Sequence, residues 1–337
     1  MNDAFIIPLN EGDRETGRVS TLRQARAILL LLLATVLMSP SYRSATGEQQ
    51  TVAARYLAIV VVDACRPDYL QLAEIPNLRL LMANGVTYSR AWVAQLESNT
   101  PPGHATVSTG SIPRNQGVIG FGWRDPISGG MIAPTTIEAV SQGRLGEVIA
   151  ASGAVTIQQL VKEVDPNAKA VAVSSDKFFA AAAMGGKYAD HIVYSTRSGG
   201  TLIPAGVVGQ VPPSQILDDS ALRYRLPLSS EQVDAWAMDV AVKMLELQRP
   251  RVLMINLPET DESGHRTGGI IAPQVMAEVI ANVDRQIGRL IEAYRRLGIF
   301  DQTLFVVTAD HGMIPNTRNV RGALIRGAVE KTGTTAI

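Results

Sequence analysis

"YLAIVVVDACRPDYL", residues 56–70, opens on a continuous apolar run rich in β-branched residues and stops at Asp63. Such a run, with no polar alternation, reads as a strand buried on both faces, the central kind found in parallel sheets. In open α/β sheets the functional groups gather at the carboxyl ends of the strands, and Asp63 lies at such an end. Two later stretches repeat the pattern: "RVLMINLPETD" (251–261) and "QTLFVVTADHG" (302–312) are apolar strands that end in acids. "AKAVAVSS" (168–175) and "VTYSRAWVA" (86–94) add two further expected strands. Between them the periodicity predicts helices over 75–85, closed by Asn84 and Gly85, and over 154–164, 229–248 and 273–297. Strands alternating with helices predict a parallel sheet covered on both faces.

At 337 residues, 46% hydrophobic and 18% charged, the chain has the composition of a globular protein with a sizeable core. Its 31 basic and 31 acidic residues balance, which argues against a nucleic-acid polymer as partner. A small anionic substrate would need local positive charge. The single cysteine, Cys65, excludes an internal disulfide and a Cys-rich zinc module. Near the N-terminus Arg14, Arg18, Arg23 and Arg26 precede the apolar run "AILLLLLATVLM" (27–38). The run is short for a membrane span of about 20 residues and suits a signal-peptide core. Residues 1–41 are therefore expected to be a signal peptide or an uncleaved signal anchor, with a membrane partner only in the second case. Residues 42–54 form a polar linker, and 55–337 a single catalytic domain placed outside the cytoplasm, periplasmic or secreted. The Gly-, Pro- and Ser-rich segment 186–227 is expected to be an insertion or lid. Oligomeric state has no sequence signal.

Three strand ends thus carry Asp63, then Asp261 with His265, then Asp310 with His311. In "ETDESGH" the Asp and His are four apart, so one helical turn aims both at one point. Carboxylate and imidazole together suit zinc or, less specifically, manganese or iron. Three of the four histidines fall in "PGH", "SGH" or "DHG" motifs. A single strand-end Asp is more often a cap or turn former; three such motifs at separate strand ends point to a metal centre.

In order along the chain, "VVDACRPDYL", "NTPPGHATVSTGSIPRNQGVIGF", "ETDESGH" and "TADHGM" resemble the metal and nucleophile motifs of the alkaline phosphatase superfamily, in its type I phosphodiesterase/nucleotide pyrophosphatase branch. The resemblance implies an α/β/α sandwich, a mostly parallel central sheet and two zinc ions acting on a small phosphorylated substrate. Asp63, Asp310 and His311 would hold one zinc, which also binds the nucleophile; Asp261 and His265 would hold the other. The nucleophile would be Thr100, ahead of a helix beginning near Pro101 or Pro102, and the product of its attack a phosphothreonine. Ser98, Thr106, Ser108 and Thr109 read as caps and packing hydroxyls, His104 as a structural histidine and His191 as a surface residue. Cys65 reads as a packing residue, since "CRPDYL" lacks the spacing of the sulfatase motif.

Three departures bear on substrate and activity. Pro101 and Phe121 stand where nucleotide pyrophosphatases carry an aromatic residue and an Asn. Asp176, Lys177 and Phe178 stand where similar monoesterases carry a Lys and an Arg that clamp a dianion, which favours a phosphodiester or pyrophosphate bond over a monoester. The family's last zinc-binding His has no counterpart after His311. The chain is accordingly expected to be a C-terminally truncated hydrolase, with a non-catalytic metal-binding remnant as the alternative.

Overall fold

Apolar residues on both faces of each inner strand place those strands at the middle of the fold. In the computed structural model, which describes residues 54–93, 95–198, 201–207, 230–315 and 322–333, the strands of the central sheet are β1 (Tyr56–Val62), β2 (Ala170–Ser174), β3 (His191–Ser198), β4 (Thr201–Val207), β5 (Val252–Leu257) and β6 (Thr303–Thr308). They form one sheet in the order β4-β3-β2-β5-β1-β6. Every pairing is parallel except β3 with β4. Val62 lies opposite Leu257 and Val61 opposite Thr308, so β1, β5 and β6 end level with one another.

Alternate residues of the inner strands serve two cores. Ala58, Val60, Val62, Leu253, Ile255 and Leu257 pack with one layer of helices, among them α6 (Ser230–Gln248) and α8 (Pro273–Arg296). Ile59, Val61, Ala170, Ala172, Val252 and Met254 face the opposite layer, packing with Met184, Val107 and Ile157. The result is an α/β/α sandwich in which burial of both strand faces supplies the main driving force. The helices bearing on the site are α2 (Thr100–Thr109), α5 (Phe178–Gly185) and α7 (Glu259–Thr267). The other labelled helices are α1 (Pro76–Ala83), α3 (Arg144–Ala151), α4 (Ile157–Val164) and α9 (Gly322–Glu330).

Three expectations need correction. Residues 86–94 form no strand among those described: Val86, Tyr88 and Trp92 are exposed, so the alternating pattern buries no face. Residues 191–207, expected within an insertion, supply β3 and β4 of the central sheet. The Gly and Ser around them masked the apolar "HIVY" that pairs with β2. His191, expected at the surface, is buried at the start of β3. The rest of the expected insertion, 208–229, and the expected N-terminal signal segment and linker up to residue 53 lie outside the described residues. No helix among the described residues is long and apolar enough to cross a membrane.

Candidate active site

The level ends of β5, β1 and β6 set three chain reversals side by side. At the end of β1 the chain turns at Ala64, a non-glycine residue at φ 55°, and the Ala64 N–H donates to Asp310 Oδ1 at 3.0 Å. That bond ties the first acidic strand end to the last. Beyond β5, Pro258 begins α7, and its first turn carries Asp261. The one-turn spacing to His265 brings His265 Nε2 to 3.5 Å from Asp261 Oδ1.

Helix α2 starts at Thr100 with Pro101 and Pro102 behind it, all buried. A buried helix start normally leaves N–H groups without partners; the two prolines have none to leave, and their backbone angle is already helical. Thr100 is thereby fixed with its hydroxyl over the strand ends. Its Oγ1 lies 3.4 Å from His311 Nε2 and 3.5 Å from Asp63 Oδ1. Two glycines permit this closeness. A Cβ on Gly103 would sit 2.7 Å from the Asp310 carbonyl oxygen, and one on Gly264 would sit 2.2 Å from Met313 Sδ. The glycines of "PGH" and "SGH" therefore let α2 and α7 press against opposite parts of the "ADHGM" turn.

Asp63, Asp310 and His311 are all buried and each offers a ligand atom within 4.8 Å of the others. Their outer atoms are engaged. Asn256 Nδ2 donates to Asp63 Oδ2 at 3.1 Å, and His311 Nδ1 lies 2.8 Å from the Gly312 carbonyl oxygen. A carbonyl can only accept, so His311 carries a proton on Nδ1 and turns Nε2 inward, the orientation of a metal-ligating histidine. Asp310 Oδ2 is buried and lies 3.4 Å from His311 Nε2. An inward imidazole nitrogen and two buried carboxylates, with ligand atoms this close together, fit a divalent cation, and the three residues are a candidate metal-binding group.

His104, one turn into α2, is fully buried, with Nδ1 at 2.9 Å from the Thr100 carbonyl oxygen and 3.1 Å from Asp310 Oδ2. Burial works against its charge, but Asp310 and Asp63 outweigh it and push the imidazole up to about 9. Burial would likewise raise Asp310, and His104 reverses that, holding it down to about 2. Asp63 goes the other way, pushed up to about 6 by burial and by the neighbouring Asp310. Two carboxylates this close in a low-dielectric site cannot both ionise freely. Cys65 packs on the core and burial pushes its thiol up to about 12, which leaves it unreactive.

The expected partner pair is built differently. Asp261 is buried, whereas the His265 side chain is 73% exposed. Neither belongs to a group of three close metal-ligating side chains among the described residues. Asp261 Oδ2 instead accepts a hydrogen bond from Lys177 Nζ, which also lies 3.3 Å from Asp63 Oδ1 and 3.5 Å from Thr100 Oγ1. Burial opposes the lysine's charge, but Asp63 and Asp261 hold the ammonium well above its ordinary value.

Sequence reasoning missed the roles of Lys177 and Asn256. Each had a signal. Lys177 follows the end of β2 just as Asp63 follows the end of β1, and Asn256 is the polar residue inside an otherwise apolar strand. The hydroxyls of α2 other than Thr100 pack: Ser108 donates to the Met184 carbonyl at 2.8 Å and Thr109 to the Ala105 carbonyl at 2.7 Å.

The chain is 23% identical over 269 residues to an uncharacterized pyrophosphatase/phosphodiesterase of Schizosaccharomyces pombe, covering 77% of this chain and 45% of that protein. It thus spans less than half the length of that curated relative. Among solved structures, the alkaline phosphatase PafA shares the fold with a TM-score of 0.64 at 15% identity, over 86% of this chain and 66% of that one. Phosphonoacetate hydrolase from Sinorhizobium meliloti, solved with phosphonoacetate, gives 0.53 at 20% identity, over 84% of this chain and 62% of the other. The family model for type I phosphodiesterase/nucleotide pyrophosphatase matches residues 57–331. That span runs from β1 through every strand end described above, and the chain belongs to the type I phosphodiesterase/nucleotide pyrophosphatase family.

Proposed function

We propose that this chain hydrolyses a phosphodiester or pyrophosphate bond of a small substrate, using Thr100 as nucleophile beside a metal ion held by Asp63, Asp310 and His311. One observation carries the reading: Thr100 Oγ1, at the start of a buried helix, is approached within 3.5 Å by His311, Asp63 and Lys177 together. A divalent ion, zinc by the donor set, would supply the charge that lowers the hydroxyl's pKa.

Thr100 Oγ1 gives its proton toward Asp63 Oδ1 and its lone pair to phosphorus; the substrate P–O bond breaks and the leaving oxygen takes a proton from water. The hydroxide left from that water then attacks the phosphothreonine, the bond from phosphorus to Oγ1 breaks, and Asp63 returns its proton to Oγ1, restoring the Thr100 hydroxyl. The positive end of the α2 dipole faces the phosphoryl oxygens. Pro101 and Pro102 carry no N–H, so Thr100 is the one of the first three helical residues that can offer one. A diester bears a single charge, which suits a site where Asp63 and Asp261 already outweigh the charge of Lys177. A monoesterase is the second reading, favoured by the mere presence of that ammonium beside Thr100.

Export of the chain rests on the arginine-flanked apolar run at 27–38; recovery of the intact N-terminus in the cytosolic fraction would refute it. Turnover of bis(p-nitrophenyl) phosphate by the full chain, set against p-nitrophenyl phosphate, tests the activity. Diester turnover should be the faster, and Thr100→Ala should lower it about a thousandfold or more. An unchanged rate in a folded Thr100→Ala variant removes the proposed nucleophile. A faster monoester reverses the substrate assignment.

A further inference from the structure

The family resemblance expects a second zinc ion on Asp261 and His265, and the buried oxygens on the inner side of Asp261 belong to Asp63 and Thr100, leaving a gap among the three. Lys177 fills it. Its side chain is 11% exposed, and its Nζ reaches oxygen atoms of three different elements: Asp261 Oδ2 on α7, Asp63 Oδ1 at 3.3 Å at the end of β1, and Thr100 Oγ1 at 3.5 Å on α2. These are the oxygens that a cation in that gap would meet. A divalent ion and an ammonium repel and cannot share the same ligands. The remaining expected ligand, His265, stands at the solvent edge on an exposed side chain, so it brings little to outweigh the lysine.

Lys177 is held in place from behind. The residue before it, Asp176, sits at φ 54°, and its N–H donates to Ser195 Oγ at 2.8 Å. Ser175 Oγ donates to the Val233 carbonyl at 2.8 Å. Behind it, Phe178 and Phe179 open α5, and Phe179 meets Phe121 edge to face at 5.1 Å. The turn therefore spends an unfavourable backbone angle and two buried serine hydrogen bonds to aim one lysine at the acidic strand ends.

We infer that Lys177 is the second cation of this centre: its ammonium takes the position between Asp63 and Asp261, and the chain holds a single metal ion, at Asp63, Asp310 and His311. The inference rests on the metal-assisted reading above. An ammonium brings one charge and three N–H donors and no open coordination position. The donor at Thr100 Oγ1 can turn to a phosphoryl oxygen while the other two stay on Asp63 and Asp261.

The test is metal content. The full chain is dialysed against excess zinc chloride, then against metal-free buffer, and zinc per chain is measured by elemental analysis. The parent should hold one zinc. Lys177→Ala and Lys177→Ser, each checked for the parent's circular dichroism spectrum, should hold two, and Lys177→Ala/Asp261→Asn should return to one. Two zincs in the parent, or one in either folded lysine variant, would overturn the inference and leave the hydrolase reading intact. No zinc in the parent would overturn the metal-centre reading, and this inference with it.

Discussion

The two halves of the site use the same residue types and are finished to different degrees. Around Asp63, Asp310 and His311 every outward atom has a partner fixed by the fold: Asn256 on Asp63, the Ala64 N–H on Asp310, the Gly312 carbonyl on His311. Around Asp261 the neighbours are a long lysine and a histidine left in solvent. The first half is tied by backbone and short side chains; the second depends on one buried lysine and a histidine in solvent. Ligand residues alone do not make a metal position, because the partners behind them fix ring orientation and basicity.

Four experiments bear on that contrast. The largest effect is expected from exchanging the two histidines one at a time. His311→Ala should weaken zinc binding by more than about 100-fold, since it removes a ligand and not merely a supporting contact; His265→Ala should change it by less than about fivefold, as for an exposed contact. Equal losses in competition titrations with a zinc-binding dye would erase the distinction. Next comes Asn256→Ala, which frees Asp63 Oδ2 and should cost about 10- to 100-fold in zinc affinity. A tight-binding variant would show that Asp63 is positioned by something else.

Gly103→Ala is the third. Its Cβ would press on the Asp310 backbone, so a loss of about 1–3 kcal/mol in urea unfolding is expected from overpacking, together with weaker zinc binding. A stability loss without any change in zinc affinity would separate α2 packing from the metal half.

The smallest effect belongs to the other half. Asp234 is fully buried and accepts the N–H of Glu259, the first residue of α7. Burial raises its carboxyl well above the usual range. The folded chain therefore binds the proton more tightly than the unfolded one, and stability is lost as pH rises from the unfolded value toward the folded one. Asp234→Asn keeps an oxygen for Glu259 and has no proton to lose. Its urea midpoint should fall less than the parent's between mildly acidic and mildly alkaline buffer; parallel curves would mean that Asp234 does not titrate with unfolding.

Much of this was readable in the chain because strands buried on both faces leave an unmistakable apolar run, and each such run led to an acid that the fold brings to the candidate site. Asp63, Asp261 and Asp310 were legible for that reason. Lys177 was not, since a basic residue after a strand suggests a solvated turn until the acids across from it are placed. Strands β3 and β4 were hidden because an edge hairpin needs less continuous apolarity than a central strand. The expected strand at 86–94 failed for the opposite reason: its apolar residues had the pattern, but they stay exposed and bury no face against the sheet.

The bond between α2 and the "DHG" turn also sets a schedule for biosynthesis. Thr100 and His311 are separated by 211 positions in the chain, so at about 5–20 residues per second the ribosome delivers the threonine roughly 10–40 s before its histidine neighbour. Strand β1, with Asp63 at its tip, waits as long for β6, its partner along one edge. During that interval one edge of β1 stays open even after β5 has taken the other, and only the arrival of β6 both closes the sheet beside β1 and completes the acidic site.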